Sequence, residues 1–453
     1  MVSIGTSTDE ANRKIEQHTA PALARLLPAK LIGRWAAQAG MILKGGLYSP
    51  VITLRQCISK QFDLRSARGM ERDLALTAGA CQGAHAKNLP EATPDGKDFC
   101  GARARLPLSV FKKALSHLAH RTPVPAPDRY RGLTIAMLDG TTTAVPRTKE
   151  NLAHFQTSSN QLGPGRFPIV RVALRLCAGL ISAIAVDPYH TSELTQAIGL
   201  IATLPCGSLL LADALYGSFL NLALVTRRQS HLISPRKLKR KGEKLKRLGR
   251  NEWLERITRP RAAHSCHPEL LVDLPAFQDV RVIKAVIQRK GYRDITLFLC
   301  TTLLDHLKYP AQEIVAIYLR RWNIELDIRS LKLKHGLARL TCKSPQTVER
   351  EIYSACLAFN SVRATMAETG QPAHRLSHAS TLELLRRTDD KMSFASRTMR
   401  AELVRTMLEL IAAAVLPHQP RPPEPRAVVH SVRRFPYLKC TRKQWRAWHR
   451  AAV

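Results

Sequence analysis

The chain has 453 residues, and its 70 Lys plus Arg against 35 Asp plus Glu give a formal net charge of +35. This excess predicts a polyanionic partner, most often nucleic acid, because each phosphate contact releases counterions. No stretch has the pattern of a membrane span or of a signal peptide. The ten cysteines are scattered without a CxxC pair, which fits a reducing compartment and argues against a disulfide framework. His264, Cys266 and His267 lie close together, but without a second paired cluster they do not predict a zinc site.

Residues 1–128 are predicted to form a helical domain, because apolar residues recur there at helical spacing. Basic residues are interleaved with the apolar ones, as a DNA-binding surface requires. They are Arg25, Lys30, Arg34, Lys44, Arg103, Arg105, Lys112 and Lys113. The Pro-rich piece TPVPAPDRYRG at 122–132 then predicts a linker into a new unit.

Residues 129–234 change to strand character. Strands are predicted at 133–138, 169–176, 180–186, 208–212 and 231–234, and a helix at 217–228. The first strand is expected to stop at Asp139-Gly140, a pair typical of turns, and the fourth runs straight into Asp213. Strands with intervening helices on one sheet indicate an α/β unit.

Residues 235–290 interrupt this unit, and strands predicted at 280–287 and 295–301 lead to a helix over 311–334. Residues 236–250 hold nine Lys or Arg and one Glu, which indicates either a solvated basic loop or an arm that contacts phosphates. The last 36 residues include the Pro-rich RPPEPR and a basic end with Trp445 and Trp448, which predicts a tail with aromatic and cationic contacts.

The predicted helix over 311–334 carries Tyr318, Arg321, Glu325 and Lys332 on one face, within a stripe roughly 60° wide at 100° per residue. Apolar residues are expected on both sides of the stripe: Ile317, Ile324, Ile328 and Leu331 on one, and Leu319, Trp322, Leu326 and Leu333 on the other. The opposite face is expected to be solvated and carries Arg320, Asn323, Asp327, Ser330 and Lys334. A carboxylate framed by cations between apolar walls indicates a site. The plainer alternative is a salt-bridged amphipathic helix, since Arg321 lies four residues before Glu325.

Two further carboxylates are predicted to meet this helix. Asp139 and Asp213 each follow a strand, and with Glu325 they could converge on a pair of Mg²⁺ ions, which prefer hard oxygen ligands. Taken singly, Asp139-Gly140 is more often a turn, and Asp213 could equally cap the helix that follows it. The combination is therefore more specific than any of its parts.

The sequence resembles the DDE transposases of the insertion-sequence 4 type. Their third-carboxylate motif, Tyr-x2-Arg-x3-Glu-x6-Lys, is matched without a gap by the stripe that ends at Lys332. DGTT at 139–142 and LLADALY at 210–216 resemble the motifs around the first two carboxylates. Further similar stretches are FCGARARLPLSVF (99–111), GRFPIVRV (165–172), LCTTLLD (299–305), RWNIELDIRSLK (321–332), LTCKSPQTVEREI (340–352) and EPRAVVHSVRRFPYL (424–438).

The resemblance implies an α/β fold with an RNase H-like catalytic core. The two parts of this core would be residues 129–234 and 291–370, with a β-rich basic insertion at 235–290 between them. A helical N-terminal DNA-binding domain, residues 1–128, would precede the core. A helical segment with a basic tail, residues 371–453, would follow it.

The resemblance also implies cut-and-paste transposition of an insertion sequence by two-metal-ion phosphoryl transfer. Asp139, Asp213 and Glu325 would be the catalytic residues and the ligands of two Mg²⁺ ions, which Mn²⁺ could replace. Tyr318, Arg321 and Lys332 would contact DNA near the scissile bond. The partners would be double-stranded DNA, as terminal inverted repeats and target, and a second subunit in a homodimeric synaptic complex, with no membrane. The location would be the bacterial cytoplasm, in association with the nucleoid.

A base-flipping aromatic is one departure from the family pattern. Relatives with a β-strand insertion hold a flipped thymine on a Trp of the strand before the third-carboxylate helix, and the nearest aromatic here is Phe298. Two other functions remain open from the sequence. One is a nuclease or resolvase with the same chemistry, which its cut rather than joined product would distinguish. The other is a non-catalytic DNA-binding descendant, which a missing carboxylate would indicate; none is missing.

Overall fold

The computed structural model describes residues 13–41, 47–82, 95–160, 163–236, 242–265, 267–288 and 294–416, and residues 440, 441, 444 and 447. Cys266, most of the tail and residues 237–241 of the basic segment lie outside the described residues. The chain divides into two units, Met1–Ala285 with Phe298–Pro417 and Val286–Leu297 with His418–Val453. The three candidate carboxylates belong to the first unit. Every helix in the described ranges is too short or too polar to span a bilayer.

The helices confirm the helical character predicted for the described parts of residues 1–128 and 371–416. They are α1 Pro21–Leu26, α2 Ala29–Gln38, α3 Pro50–Asp63, α4 Ala67–Gln82, α5 Lys97–Arg105, α6 Leu108–Arg121, α7 Lys149–Phe155, α8 Glu193–Ala202, α9 Phe219–Arg227, α10 Pro268–Leu271, α11 Ala311–Leu319, α12 Trp322–Lys334, α13 Pro345–Ala367, α14 His378–Met392 and α15 Arg397–Ala413. Several begin at a Ser cap: the Ser49 hydroxyl accepts from the Ile52 backbone N–H, and Pro50 takes the first helical position.

The N-terminal helices share one hydrophobic core with the late helices. Leu23, Phe111 and Phe359 are fully buried members of this core, and they come from α1, α6 and α13. Helix α13 is buried along most of its length, and its buried residues include polar ones such as Glu351 and Asn360. The domain boundary predicted at residue 128 stays a prediction.

A buried ion pair joins α3 to α13 inside this core. The Glu351 carboxylate accepts hydrogen bonds from Lys60 Nζ at 3.1 Å, the Thr341 backbone N–H at 2.8 Å and the Cys342 backbone N–H at 3.0 Å. Burial alone would raise the pKa of Glu351, but Lys60, Arg103 and the bonds from Thr341 lower it to about 2. The carboxylate is therefore ionised and fully engaged in the folded protein.

The described strands belong to one mixed sheet, as the α/β prediction requires. They are β1 Arg129–Tyr130, β2 Leu133–Ala144, β3 Thr157–Asn160, β4 Gly163–Cys177, β5 Leu180–Pro188, β6 Ser208–Leu211, β7 His231–Pro235, β8 Glu243–Gly249, β9 Glu252–Thr258, β10 Phe277–Ile287 and β11 Ile295–Thr301. Their order is β3-β4-β2-β6-β7-β11-β10-β9-β8, with β1 paired to β2 and β5 to β4. Strands β2, β6 and β7 are parallel to one another. Strands β8 to β10, in the stretch predicted as an insertion, extend the same sheet.

Strand β2 does not stop at Asp139, so the predicted turn at Asp139-Gly140 is wrong. The strand continues to Ala144 and pairs antiparallel with β4, from Ala136 opposite Cys177 to Ala144 opposite Ile169. A long partner strand thus overrides the local turn preference of Asp-Gly, because each added pair completes backbone hydrogen bonds.

Replacing Glu351 by Gln should lower the free energy of unfolding by about 3–5 kcal/mol, because Lys60 then stays buried without a counter-charge. In the wild type the Glu351 contribution is present above the ordinary pKa of 4.5 and is lost as the pH falls towards about 2. The stability difference between wild type and variant should therefore shrink over that window in chemical denaturation. Glu402→Gln, which removes the exposed partner of Arg405, is the matched control. Equal losses for both variants would contradict the assignment.

Candidate active site

The sheet brings Asp139 and Asp213 side by side, at the level where β6 ends. Strands β2 and β6 are parallel, with Met137 opposite Leu211. Asp139 lies two residues beyond Met137, and Asp213 lies two residues beyond Leu211. In paired parallel strands, residues at the same distance beyond a matched pair lie side by side, so the two carboxylates are neighbours.

Asp139 is partly buried and has acidic neighbours. One of its oxygens, Oδ1, accepts from the Gly140 backbone N–H at 2.8 Å. Burial raises the pKa of Asp139, and Asp213 and Glu325 raise it further, whereas the Gly140 bond and Arg321 oppose that rise. The three candidate carboxylates therefore lie close enough to interact electrostatically.

Asp213 begins a turn and does not cap the next helix, so that alternative is wrong. Its Oδ1 accepts from the Leu215 backbone N–H at 2.7 Å, two residues along the chain. Helix α9 is capped instead by Ser218, whose hydroxyl accepts from the Asn221 backbone N–H at 3.2 Å. The turn leaves Asp213 at the strand edge rather than over a helix.

The predicted helix over 311–334 is two helices, α11 and α12, so the prediction of one continuous helix is wrong. Arg320 and Arg321 lie between them and keep right-handed backbone angles. Tighter hydrogen bonds close this turn, from Arg321 N–H to Tyr318 O at 2.9 Å and from Ile324 N–H to Arg321 O at 3.1 Å. Tyr318 thus lies in the last turn of α11, while Glu325 and Lys332 lie on α12.

One side of the α12 stripe is buried, but the other is exposed, which corrects the prediction of two apolar walls. Ile324 and Leu331 are fully buried, whereas Trp322 and Leu333 are 58% and 63% exposed. The opposite face is not uniformly solvated either. Asp327 is buried there and forms an ion pair with Arg363 of α13, so this pair and the buried side fix α12 in the core.

Arg321 connects the helix carboxylate to the strand. Its Nη2 donates to Glu325 Oε1 at 2.7 Å, and its Nη1 lies 3.7 Å from Asp139 Oδ2. The salt bridge of the plainer sequence interpretation is therefore present, but it reaches a second carboxylate as well. Lys332 Nζ donates to the Thr142 backbone carbonyl at 3.1 Å, three residues after Asp139.

Burial shifts the pKa of Tyr318 and of Lys332, the two remaining predicted DNA-contacting residues on this stripe. Burial raises the pKa of Tyr318, whose ring is almost fully enclosed, and burial lowers the pKa of Lys332. Phe298 is different, because it lies on β11, is partly buried and packs against a hydrophobic cluster of the sheet. Its predicted role in base stacking stays a prediction.

The donor chemistry of the site fits a divalent cation. Three carboxylates offer hard oxygen ligands, and Asp213 and Glu325 add negative charge near Asp139 that a cation would stabilise. Within the described residues no three or more His, Cys, Asp or Glu side chains are grouped closely enough to hold a metal ion. Glu325 is hydrogen-bonded to Arg321 in this structure. The three carboxylates thus suit a divalent cation by their ligand type and by their electrostatic proximity, and in this structure they do not form a closed coordination shell.

The structure adds three polar residues that the sequence did not single out as site residues. Tyr216 is fully buried, and its hydroxyl lies close to Gly140, as does the Glu193 carboxylate. Glu193 forms an ion pair with Arg171, which lies opposite Thr142 in the sheet. Tyr216 and Arg171 fall in stretches that carry the family resemblance. For Glu193 no sequence signal exists beyond the start of a helix after Ser192.

Known proteins resemble this chain over the region that contains the candidate site. A family model of the transposase DDE domain matches residues 130–361, which contain all three carboxylates and more than half of the chain. The chain therefore belongs to the DDE transposases, a family of DNA transposases that generally use divalent metal ions. Its similarity to transposase InsG for insertion sequence element IS4 of Escherichia coli (strain K12) is 27% identity over 338 residues, covering 72% of this chain and 74% of the relative. The chain is thus a transposase of the insertion-sequence 4 type.

Proposed function

We propose that this transposase excises an insertion sequence and joins it to target DNA by DDE phosphoryl transfer. The observation that carries the proposal is that Asp139 of β2 and Asp213, just after β6, lie side by side, interact electrostatically with Glu325 and lie next to Arg321. A basic chain with a small acidic cluster suits a nucleic-acid substrate. Its cations attract the phosphate backbone of the nucleic acid, and the carboxylates would act on the scissile phosphate.

Asp139, Asp213 and Glu325 would hold two Mg²⁺ ions, replaceable by Mn²⁺, which when bound stabilise the charge that develops at the scissile phosphate. The protein fixes the positions of these side chains: Asp139 and Asp213 by strand pairing, Glu325 by the buried side of α12. Such preorganisation supplies most of the rate in phosphoryl transfer, since little covalent chemistry is left to the protein.

The chemistry proceeds in two steps on the DNA. In the first, water attacks a phosphorus at the transposon end, the P–O3′ bond breaks, and a 3′-hydroxyl is freed. In the second, that hydroxyl attacks a phosphorus of the target strand, and another O3′ leaves. Arg321 and Lys332 would bind phosphate oxygens beside the scissile bond, and the Tyr318 hydroxyl would do so from the end of α11.

The finer architecture belongs to the same proposal. Residues 129–234 and 291–370 would form an RNase H-like core, the inserted strands and the N-terminal helices would contact the terminal inverted repeats, and the protein would act on the bacterial nucleoid. An element has two ends, so two active sites must be brought together, and a homodimer in the synaptic complex satisfies that requirement.

Asp139→Asn, Asp213→Asn and Glu325→Gln should each abolish cleavage of end DNA and leave DNA binding largely intact. Each substitution keeps the shape of the side chain but removes the charge that would hold a divalent cation. Gel assays with the element's own terminal DNA and Mg²⁺ measure both properties. Cleavage near the wild-type rate by any one variant would exclude that residue from the site.

Arg321→Ala and Lys332→Ala should weaken end-DNA binding. Each should also flatten the slope of log K against log salt by about one unit, because each removes one phosphate contact. Arg405→Ala, which removes an exposed cation of α15, is the matched control for loss of bulk charge. If Arg321→Ala lowers stability while the salt slope is unchanged, Arg321 is a structural partner of Glu325 and Asp139 and does not contact DNA.

Three exposed cations of the N-terminal helices, Lys30, Arg34 and Arg105, should contribute to recognition of the terminal repeats. Their joint replacement by Gln should lower affinity for end DNA in a salt-dependent manner. Substitution is the right test because these helices share the common core, so truncation would disrupt it. Joint replacement of Arg387, Lys391 and Arg405 by Gln is the matched control. Unchanged selection of end DNA by the N-terminal variant would place recognition elsewhere.

A further inference from the structure

A cavity of about 330 Å³ lies among the helices, away from the three candidate catalytic carboxylates. Its wall comes from the residues just before α1, from α3, from α4 and from α14. The volume is far larger than one water molecule needs. Four carboxylates line the cavity, although the chain as a whole is strongly basic. They are Asp63, Asp73, Asp389 and Asp390.

The two arginines that line the same cavity are already engaged in ion pairs. Arg65 pairs with Asp63 and with Asp73, and Arg386 of α14 pairs with Asp63. Within the described residues, the other two carboxylates of the cavity, on consecutive residues of α14, have no cationic partner in a salt bridge. The cavity therefore carries uncompensated negative charge.

Asp389 is the inner of these two carboxylates. It is partly buried, and its Oδ1 accepts from the Ala22 backbone N–H at 2.8 Å. Burial raises the pKa of Asp389 to about 7, although the Ala22 bond and Arg55 act to lower it. The Arg55 guanidinium donates to backbone carbonyls instead. Asp389 thus lacks a bonded cation in the described part of the chain.

A second, independent feature of the cavity is a buried amide oxygen without a partner. Gln56 of α3 lines the cavity, is 3% exposed, and donates through Nε2 to the Met70 backbone carbonyl at 3.1 Å. Its Oε1 accepts no hydrogen bond from the described residues, and the buried Ser59 hydroxyl oxygen on the same helix is also without a partner there. Unpartnered buried polar groups cost free energy of folding and call for an explanation. Both oxygens can accept from a bound N–H donor.

We propose that this cavity binds an aliphatic diammonium ion, with one ammonium group at Asp389 and the other at Asp390. An ammonium group has three N–H donors and no acceptor, which matches an inner site that offers the Asp389 carboxylate and the oxygens of Gln56 and Ser59. Asp390 is exposed, so it offers a second negative charge nearer to solvent. Apolar side chains of the wall suit the methylene chain of such a ligand. They are Phe62, Met70 and Leu74.

Other ligands suit the cavity less well. Four carboxylates repel an anion, and within the described residues no three or more His, Cys, Asp or Glu side chains are grouped closely enough to hold a bare metal ion. The net charge of +35 repels cations in general, so saturable binding of a dication would report a local site. The inference does not depend on the proposed cleavage function, because none of the catalytic carboxylates lines this cavity.

Isothermal titration of the full chain with putrescine, without DNA or Mg²⁺, should show saturable binding. Asp389→Asn should weaken this binding about 10–100-fold, because it removes a hydrogen bond to a charged acceptor. The amide oxygen of Asn can still accept from the Ala22 N–H, so the fold should be kept. Asp390→Asn should weaken binding about 2–5-fold, as expected of an exposed charge.

Ser59→Ala separates ligand binding from a merely structural role. It should weaken putrescine binding about 3–10-fold but keep or raise the thermal stability, since it removes a buried hydroxyl without a protein partner. Glu383→Gln is the matched control for charge, because it removes an exposed carboxylate of α14 that lies outside the cavity wall. Its putrescine affinity should equal that of the wild type.

Absence of saturable binding would overturn the inference, as would unchanged binding in Asp389→Asn. Binding that is lost in Asp139→Asn instead would place putrescine at the catalytic carboxylates, and would equally overturn it. Equal affinity for butylammonium, which has one charge, would contradict a site for a diammonium ion. If Asp389→Asn fails to fold, Asp390→Asn and Ser59→Ala decide the question. None of these results bears on cleavage by the wild type, so the proposed function is tested separately.

Discussion

The parallel pairing of β2 with β6 is the constraint on which the rest of the site depends. It sets Met137 opposite Leu211 and so places Asp139 beside Asp213, where β6 ends and β2 continues. A slip of one residue in this register would turn every side chain of one strand to the other face and separate the two carboxylates. Leu209, Leu210 and Leu211 of β6 are fully buried, so this strand packs against other parts of the protein on both of its faces. Helix α12 then brings Glu325 to the two aspartates. The buried side of this helix and the Asp327–Arg363 ion pair hold it in the core.

Electrostatics explains why such an acidic cluster is stable within so basic a chain. Burial raises the pKa of Asp139, and its two acidic neighbours add to the effect, while Arg321 opposes it from 3.7 Å. The same guanidinium bonds Glu325, so one cation serves two carboxylates from different elements. A site of this kind is poised for a cation, because a bound cation relieves the excess negative charge of the three carboxylates.

Much of this arrangement could be predicted from the sequence, at places where the local residue pattern and the tertiary contacts favour the same structure. Strand β11 was predicted with its observed bounds, and the apolar run before Asp213 is β6. The predictions that were wrong concern places where distant pairing decides. Asp139-Gly140 lies within a strand because β4 continues beside it, and the helix over 311–334 is broken at Arg320 by a turn that helical periodicity cannot reveal. Glu193 carried no local signal, since its relation to Gly140 arises from packing between elements far apart in sequence.

The most direct test of the central claim is to locate bound metal by cleavage of the polypeptide itself. With Fe²⁺ in place of Mg²⁺, ascorbate and peroxide generate radicals that cut the backbone next to the ion. If the three carboxylates share one metal site, cuts should fall close to residues 139, 213 and 325. Excess Mg²⁺ should suppress all of them, and Asp139→Asn should lose all of them together. Cuts that persist at 213 or 325 in that variant, or that fall in segments remote from all three carboxylates, would contradict a shared site.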